Sequence, residues 1–157
     1  LVTNSDVDLH VLHIGTYAAT GRENDETSSR GGAMAAPDQV VNLEAKFAAF
    51  DEQWSPKIVG EINDMELKIA KVQGEFVWHT HEDTDEFFFV RSGRLTILLR
   101  GRDDVTLGPG EFFVVPKSVE HCPRAEEECE ILLLEPKGVV NTGDVQDSDM
   151  TAPEEWI

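Results

Sequence analysis

The sequence predicts an all-β protein with one short N-terminal helix, its strands closed into a sandwich or small barrel. Three observations carry that reading. After Pro56, roughly eight or nine short apolar or alternating segments follow one another, divided by Gly, Asn, Asp and Pro clusters. No stretch beyond Pro56 is long and periodic enough for the crossover helix that parallel neighbours need. The 157 residues, 40% hydrophobic and 28% charged, suit a single core of ordinary globular composition.

Residues 1–37 lack sustained periodicity, and Thr20 to Gly32 offers no side chain suited to a core. This part reads as a flexible N-terminal extension in which Leu9–Ile14 could pair as an extra strand. Met34-Ala-Ala-Pro37 opens the organised part, so Met34 is expected as the natural start, with upstream extension before it. Residues 38–138 are expected to form the barrel. Val40, Leu43, Phe47 and Phe50 fall at helical spacing and predict one amphipathic helix, which Pro56 forbids from continuing. Strands are predicted at Lys57–Ile62, Met65–Val72, Phe76–His81, Glu86–Arg91, Arg94–Arg100, Val105–Leu107, Glu111–Val115, Val119–Arg124 and Cys129–Glu135. Asn63-Asp64, Ser92-Gly93, residues 101–104, Gly108-Pro-Gly110 and Glu126-Glu-Glu128 have turn compositions. Residues 139–157 form an acidic tail expected to pack on the barrel, with Trp156 as its anchor.

Charge narrows the partners. There are 31 acids against 13 bases, a formal charge of −18. Residues 1–39 carry six acids and two bases, and residues 141–157 carry five acids and no base, so both tails are rich in the excess. Such a surface repels phosphate backbones and anionic lipid, which argues against nucleic acid and membrane partners. No apolar run approaches the ~20 residues of a membrane helix, and no basic stretch leads into an apolar one at the N-terminus. Cys122 and Cys129 cannot build a disulfide framework and lack zinc-ribbon spacing, so a reducing cytoplasm is the expected compartment.

The chemistry concentrates between Gly74 and Gly93. Residues two apart on a strand share a face, so His79 and His81 project together, about 7 Å apart at the backbone. Their imidazoles can converge on one ion at bonds of roughly 2.0–2.2 Å. Glu86 returns at the start of the next strand, and His121 follows a later strand and turn. Three nitrogens and a carboxylate suit Mn, Fe, Co, Ni or Zn, and a six-coordinate ion would keep two positions open. A single histidine on a strand is ordinarily surface or satisfied core; it is four ligand-type residues at compatible phases that point to a metal. His10 and His13 are expected to face solvent. Glu82, Asp83 and Asp85 read as a solvated loop, and Phe87–Phe89, Phe112-Phe113 and Ile131–Leu134 as buried barrel or interface, with Phe88 able to wall a cavity. Cys122 reads as an ordinary thiol.

With these residues in place the sequence resembles the cupins, small jelly-roll barrels of the double-stranded β-helix, RmlC-like type. Gly74, His79, His81, Glu86 and Gly93 match the first cupin motif, with four residues instead of the usual five between Gly74 and His79. Gly110, Pro116 and His121 match the second motif, while Ser118 stands where Gly is usual and Ala125 where Asn is usual. The resemblance spans roughly Ile58 to Pro136. It implies one divalent transition metal (Fe, Mn, Ni or Zn) held by His79, His81, Glu86 and His121, with Glu86 also the candidate catalytic base. It implies a small-molecule substrate and a homodimer. Cupins include dioxygenases, sugar isomerases, lyases and plain binders, so the expectation is a metal-dependent enzyme on a small polar metabolite, either a dioxygenase or an isomerase or lyase of sugar-like substrates. The alternative is a non-catalytic cupin that binds a small molecule or metal chelate. A phosphorylated substrate would call for a cation, and Lys68, Lys71, Arg91 and Arg124 are the available ones.

Overall fold

A computed structural model of the chain describes residues 40–157 apart from Gln146. The N-terminal extension, the strand at Leu9–Ile14, the placing of His10 and His13 and the Met34 start lie outside the described residues. The predicted helix forms as α1, Leu43–Phe47, shorter than its apolar spacing suggests. Asn42 caps it, its side chain accepting from the Ala45 amide at 3.1 Å, which satisfies one of the free N–H groups of the first turn.

Seven strands follow: β1 Lys57–Ile62, β2 Met65–Glu75, β3 Glu86–Ser92, β4 Leu95–Leu99, β5 Val105–Leu107, β6 Phe112–Val115 and β7 His121–Pro136. All pair antiparallel, in the order β1-β2-β7-β3-β6, while β4 pairs with β7 and β5 with β4. The chain is thus the all-β antiparallel barrel that the sequence predicts, with one short helix. The long β7 organises it: its first part lies beside β4, and its second part lies between β2 and β3. Alternation sorts the side chains. Ala70, Val72, Phe88, Val90, Ile131 and Leu133 belong to the buried interior cluster, while Ile69 and Val59 face outward under Phe47 and Phe50 of the α1 segment. No helix among the described residues is long and apolar enough to cross a membrane.

Three details differ from the sequence reading. Phe76–His81 is not a strand; it is extended chain with a single bridge at His79. The two strands expected on either side of Glu126-Glu-Glu128 are one, and those glutamates lie in β7 as an exposed bulge. Val72 pairs with Cys129 and Gly74 with Ala125, so three acids on the bent strand stand against the one residue Gln73, two more than regular pairing would allow. Gly93 makes room for the bend: a Cβ there would stand 2.7 Å from the Glu128 carbonyl oxygen and 2.8 Å from the Cys129 Cα.

Beyond β7 the chain turns back over the barrel. Thr80 and Asp144 exchange hydrogen bonds: the Thr80 amide donates to Asp144 Oδ1 at 2.7 Å, and the Asp144 amide to the Thr80 carbonyl at 3.1 Å. Asn141 donates to Met150 O at 2.9 Å and accepts from the Ala152 amide at 3.0 Å, folding the segment on itself. At the very end Trp156 bridges Ile58 in parallel, and the Ile58 amide donates to Glu155 O at 2.7 Å.

Candidate metal centre

His79 and His121 sit directly opposite each other and exchange both backbone hydrogen bonds at 3.0 Å, which brings their ring centroids to 4.2 Å. His81 follows two residues on, its carbonyl held by the Ser118 amide at 2.8 Å. Glu86 opens β3 on the interior face shared by Phe88 and Val90. All four side chains are buried, and one ligand atom from each lies within 4.8 Å of the others. Donors bound at about 2.1 Å to one ion are separated by at most about 4.2 Å, so small side-chain rotations suffice.

The hydrogen bonding fits a cation. His79 Nδ1 lies 3.0 Å from Val77 O, and His121 Nδ1 lies 2.9 Å from Val119 O, so each ring donates from Nδ1 to a carbonyl. Their Nε2 atoms are left to face inward, the arrangement by which outer partners orient ligating histidines. Glu86 Oε2 is the common focus, at 2.8 Å from His121 Nε2, 3.3 Å from His81 Nε2 and 3.8 Å from His79 Nε2. His79 Nε2 and His81 Nε2 are buried with no hydrogen-bond partner, a costly arrangement unless something else occupies their lone pairs. Burial alone would raise the Glu86 carboxyl, but the rings of His121, His79 and His81 outweigh it and hold the group well below its ordinary range. Burial lowers His81, and Glu86 first, with Glu135 and Asp144, more than reverses that, so its imidazole is raised.

A second set of charges lies beside this cluster. Glu66 and Lys68 on β2 and Glu135 on β7 alternate in phase with Ala70 and Leu133 and are buried with them. Lys68 Nζ sits 3.1 Å from Glu135 Oε2 and 3.2 Å from Glu66 Oε2. Burial first, and then the charge of Glu86, raise the Glu135 carboxyl to about 7 against the pull of Lys68. Among the described residues the other candidate cations are engaged or remote. Lys71 donates to Phe50 O at 2.8 Å, Arg91 pairs with Glu44 and Glu130, and Arg124 is exposed on the opposite side of the sheet register, across from Thr96. None aims at the cluster.

Two spaces adjoin the histidines. A cavity of about 30 Å³ is walled by Trp54, Phe76, Phe88, Ile131 and Leu133, with His79 and Glu86 on one side. Phe88 walls it, as alternation allows. A wider cleft of about 380 Å³ reaches His81 between Glu82, Asp83, Val140 and Asp144. Gly143 lines the wider cleft, packed on the Thr80 carbonyl, and a Cβ added to it would stand 3.3 Å from the His79 ring. Cys122 lies away from the ligands, its thiol 3.3 Å from Phe76 O; burial and then Glu75 push it up to about 11.

The structure therefore brings together all four residues that the spacing singled out. The sequence reading missed Glu66 and Glu135 altogether and took Lys68 only as a phosphate ligand. A signal was present: each is a charged residue at the inward phase of an otherwise apolar strand. Nothing in the pattern announced Gly143, Asp144 or Asn141, which act through the return of the C-terminal segment.

Comparison with known proteins agrees with this fold. A family profile described as a cupin domain matches residues 66–135. The uncharacterized protein YdbB of Bacillus subtilis is 32% identical over 87 residues, 55% of this chain and 77% of that protein. A crystal structure of a cupin-2 domain containing protein from Shewanella frigidimarina is 50% identical, covers 62% of this chain and 95% of that one, and superposes with a TM-score of 0.61. Hydroquinone 1,2-dioxygenase from Sphingomonas sp. TTNP3, solved with 4-nitrophenol, shares the fold at 19% identity and a TM-score of 0.58, over 62% of this chain and 32% of that one.

Proposed function

The chain belongs to the cupin family, and from that premise we propose that it is a metal-dependent enzyme acting on a small molecule, with dioxygen as co-substrate. One observation carries the metal: two buried imidazole nitrogens without partners, those of His79 and His81, converge with His121 on the Glu86 carboxylate. His79, His81, Glu86 and His121 would hold one divalent transition ion (Fe, Mn, Ni or Zn). Bound there, such an ion supplies open coordination positions and Lewis acidity or, for iron and manganese, electrons for dioxygen.

The protein's own contribution is positioning and proton handling. The carbonyls of Val77 and Val119 fix the rings of His79 and His121. All three ring contacts of Glu86 fall on Oε2, so Oε1 is left to take a proton from a bound substrate, the role proposed for Glu86 as base. Two features favour the oxygen-dependent reading over an isomerase or lyase of sugar phosphates. The apolar cavity of about 30 Å³ against His79 and Glu86 has room for a diatomic molecule, since a water needs roughly 10–15 Å³ by the same measure, while an organic substrate would enter by the cleft of about 380 Å³ at His81. Lys68, the one candidate cation on the interior face, is already held by two carboxylates and has no charge to spare for a phosphate.

The test is anaerobic loading with Fe(II), followed by oxygen uptake in the presence of diphenols and thiols. Substrate-dependent uptake that His81→Ala abolishes is the expected result. Turnover of hydroxy-aldehydes by the Mn(II) or Zn(II) form without oxygen would shift the reading to isomerase or lyase chemistry. Retention of ligand with no turnover by any form would make the protein a binder. The reading also includes a homodimer in the cytoplasm: the outer sheet face leaves Phe112 at 62% and Val114 at 39% exposure, beside Phe87. Light scattering on a sizing column should give twice the mass of 17.5 kDa.

A further inference from the structure

Three interior carboxylates lie at one level of the barrel on three neighbouring strands. Glu66 on β2 is the register partner of Glu135 on β7. Phe87 pairs with Leu134, and the same antiparallel register carried one residue further sets Glu86 of β3 beside Glu135. Like charges directly across strands repel, and all three residues are at least nine-tenths buried, with exposures of 5%, 2% and 5% in that order. Salt therefore cannot screen them well. Lys68 is the single lysine among them; its ammonium pairs with Glu66 and Glu135 and also donates to the Val139 carbonyl at 3.4 Å. The triad keeps one net negative charge, and Glu86 adds a second. Two positive charges at the histidines would balance these four residues.

We propose that Glu135 is a positioning residue of the metal centre, its carboxylate lending, from beside Glu86, the negative charge that draws a divalent ion to the histidines. This rests on the metal reading given above. Lys68 holds Glu135 from the far side, so Glu135 acts on the ion through its charge without replacing a ligand. The upward push that Glu86 exerts on the Glu135 carboxyl reports the same proximity. His81 and Asp144 are the other charged or titratable groups that this neighbourhood couples.

The role separates charge from shape. Co(II) is titrated at pH 8 into metal-free protein, reading the dissociation constant and the visible absorption bands of the bound ion. Glu135→Gln keeps the shape and the contact to Lys68 but loses the charge; the expected result is affinity weakened about tenfold, the scale of loss for an outer partner of a ligand, with the absorption bands unchanged. Glu135→Asp keeps the charge and should bind within about threefold of the parent. Glutamine binding as tightly as the parent, or aspartate binding as weakly as glutamine, overturns the proposal. Should Glu135→Gln fail to fold, Glu66→Gln removes the same unit of charge and must weaken Co(II) severalfold; unchanged affinity overturns the proposal equally. A parent protein that binds no Co(II) refutes the metal reading itself, a different outcome from parent-like binding by the variants.

Discussion

Replacing Gly143 by alanine tests how tightly the C-terminal segment seals the histidine cluster. Gly143 has φ +53°, in the left-handed region where a side chain costs about 1–2 kcal/mol. A Cβ there would also overlap the Thr80 carbonyl oxygen and stand 3.0 Å from its carbon and 3.3 Å from His79 Cδ2. Thr80 is tied in both directions to Asp144, the neighbour of Gly143, so the two backbones separate only at the cost of those bonds. Overpacking of this kind adds about 1–3 kcal/mol. Gly138 supplies the control: its φ is +79°, yet nothing lies within 4 Å of an added Cβ. Alanine there should cost about 1 kcal/mol, since the stiffer unfolded chain offsets part of the conformational penalty. The expected loss for Gly143→Ala is therefore about 2–4 kcal/mol, unless the segment peels off more cheaply. Urea denaturation of the metal-free protein gives the two losses. Hydrogen exchange at the Asp144 and Val145 amides then tells peeling from global destabilisation, because peeling accelerates those amides alone. Losses for the two variants within 0.5 kcal/mol of each other, with protected amides in both, would refute the close approach; the threshold is about the additivity error of such measurements.

Acid and alkali should act on the metal-free barrel in opposite ways through two carboxylates. Glu135 is raised to about 7 in the folded state from an ordinary 4.5, so the fold binds its proton more tightly. Stability should then fall by about 3 kcal/mol as pH rises from 4.5 through 7, a decline that urea curves should show in the parent and not in Glu135→Gln. Glu86 is held well below 4.5, so its contribution is present above that pH and is lost as pH drops beneath it; steepening of the acid limb that persists in Glu86→Gln would contradict this. His81→Ala should strip most of the metal and leave the circular dichroism spectrum intact, because its ring faces the ligand cluster and not the apolar layer. Both thiols are buried and raised to about 11, so a disulfide reagent at pH 8 should label them only as the protein unfolds. Immediate labelling of Cys122 or Cys129 in the native protein would place them at the surface.

Much of the barrel and the ligand set was legible because both obey local rules. Alternation along Ile131–Leu134 and the turn residues between segments specify strands and faces without reference to distant chain. The spacing of His79, His81 and Glu86 requires only that neighbouring strands share an interior. What was not legible depends on the path of the chain. Glu126-Glu-Glu128 has the composition of a turn, yet β7 passes through it as a bulge because the strand must leave β4 and continue between β2 and β3. Phe76–His81 alternates like a strand, but only His79 forms a β-bridge, with His121, while Thr80 and His81 bond to Asp144 and Ser118 outside the strands. Helical spacing at Val40 to Phe50 overstates α1, whose α-helical turns stop at Phe47 while Phe50 still packs on the outer sheet face. Glu135 gained its meaning from Lys68 and Glu86, 67 residues away in one case and on a third strand in the other.

The central claim is that three imidazoles and one carboxylate share a divalent ion, and X-ray absorption at the metal edge tests it most directly. Protein loaded with one equivalent of Zn(II) or Fe(II) should show three nitrogen scatterers from histidine and at least one oxygen at roughly 2.0–2.2 Å, and His81→Ala should lose one nitrogen along with most of the metal. Binding of no ion, or a first shell with fewer than three histidine nitrogens in the parent protein, would contradict it.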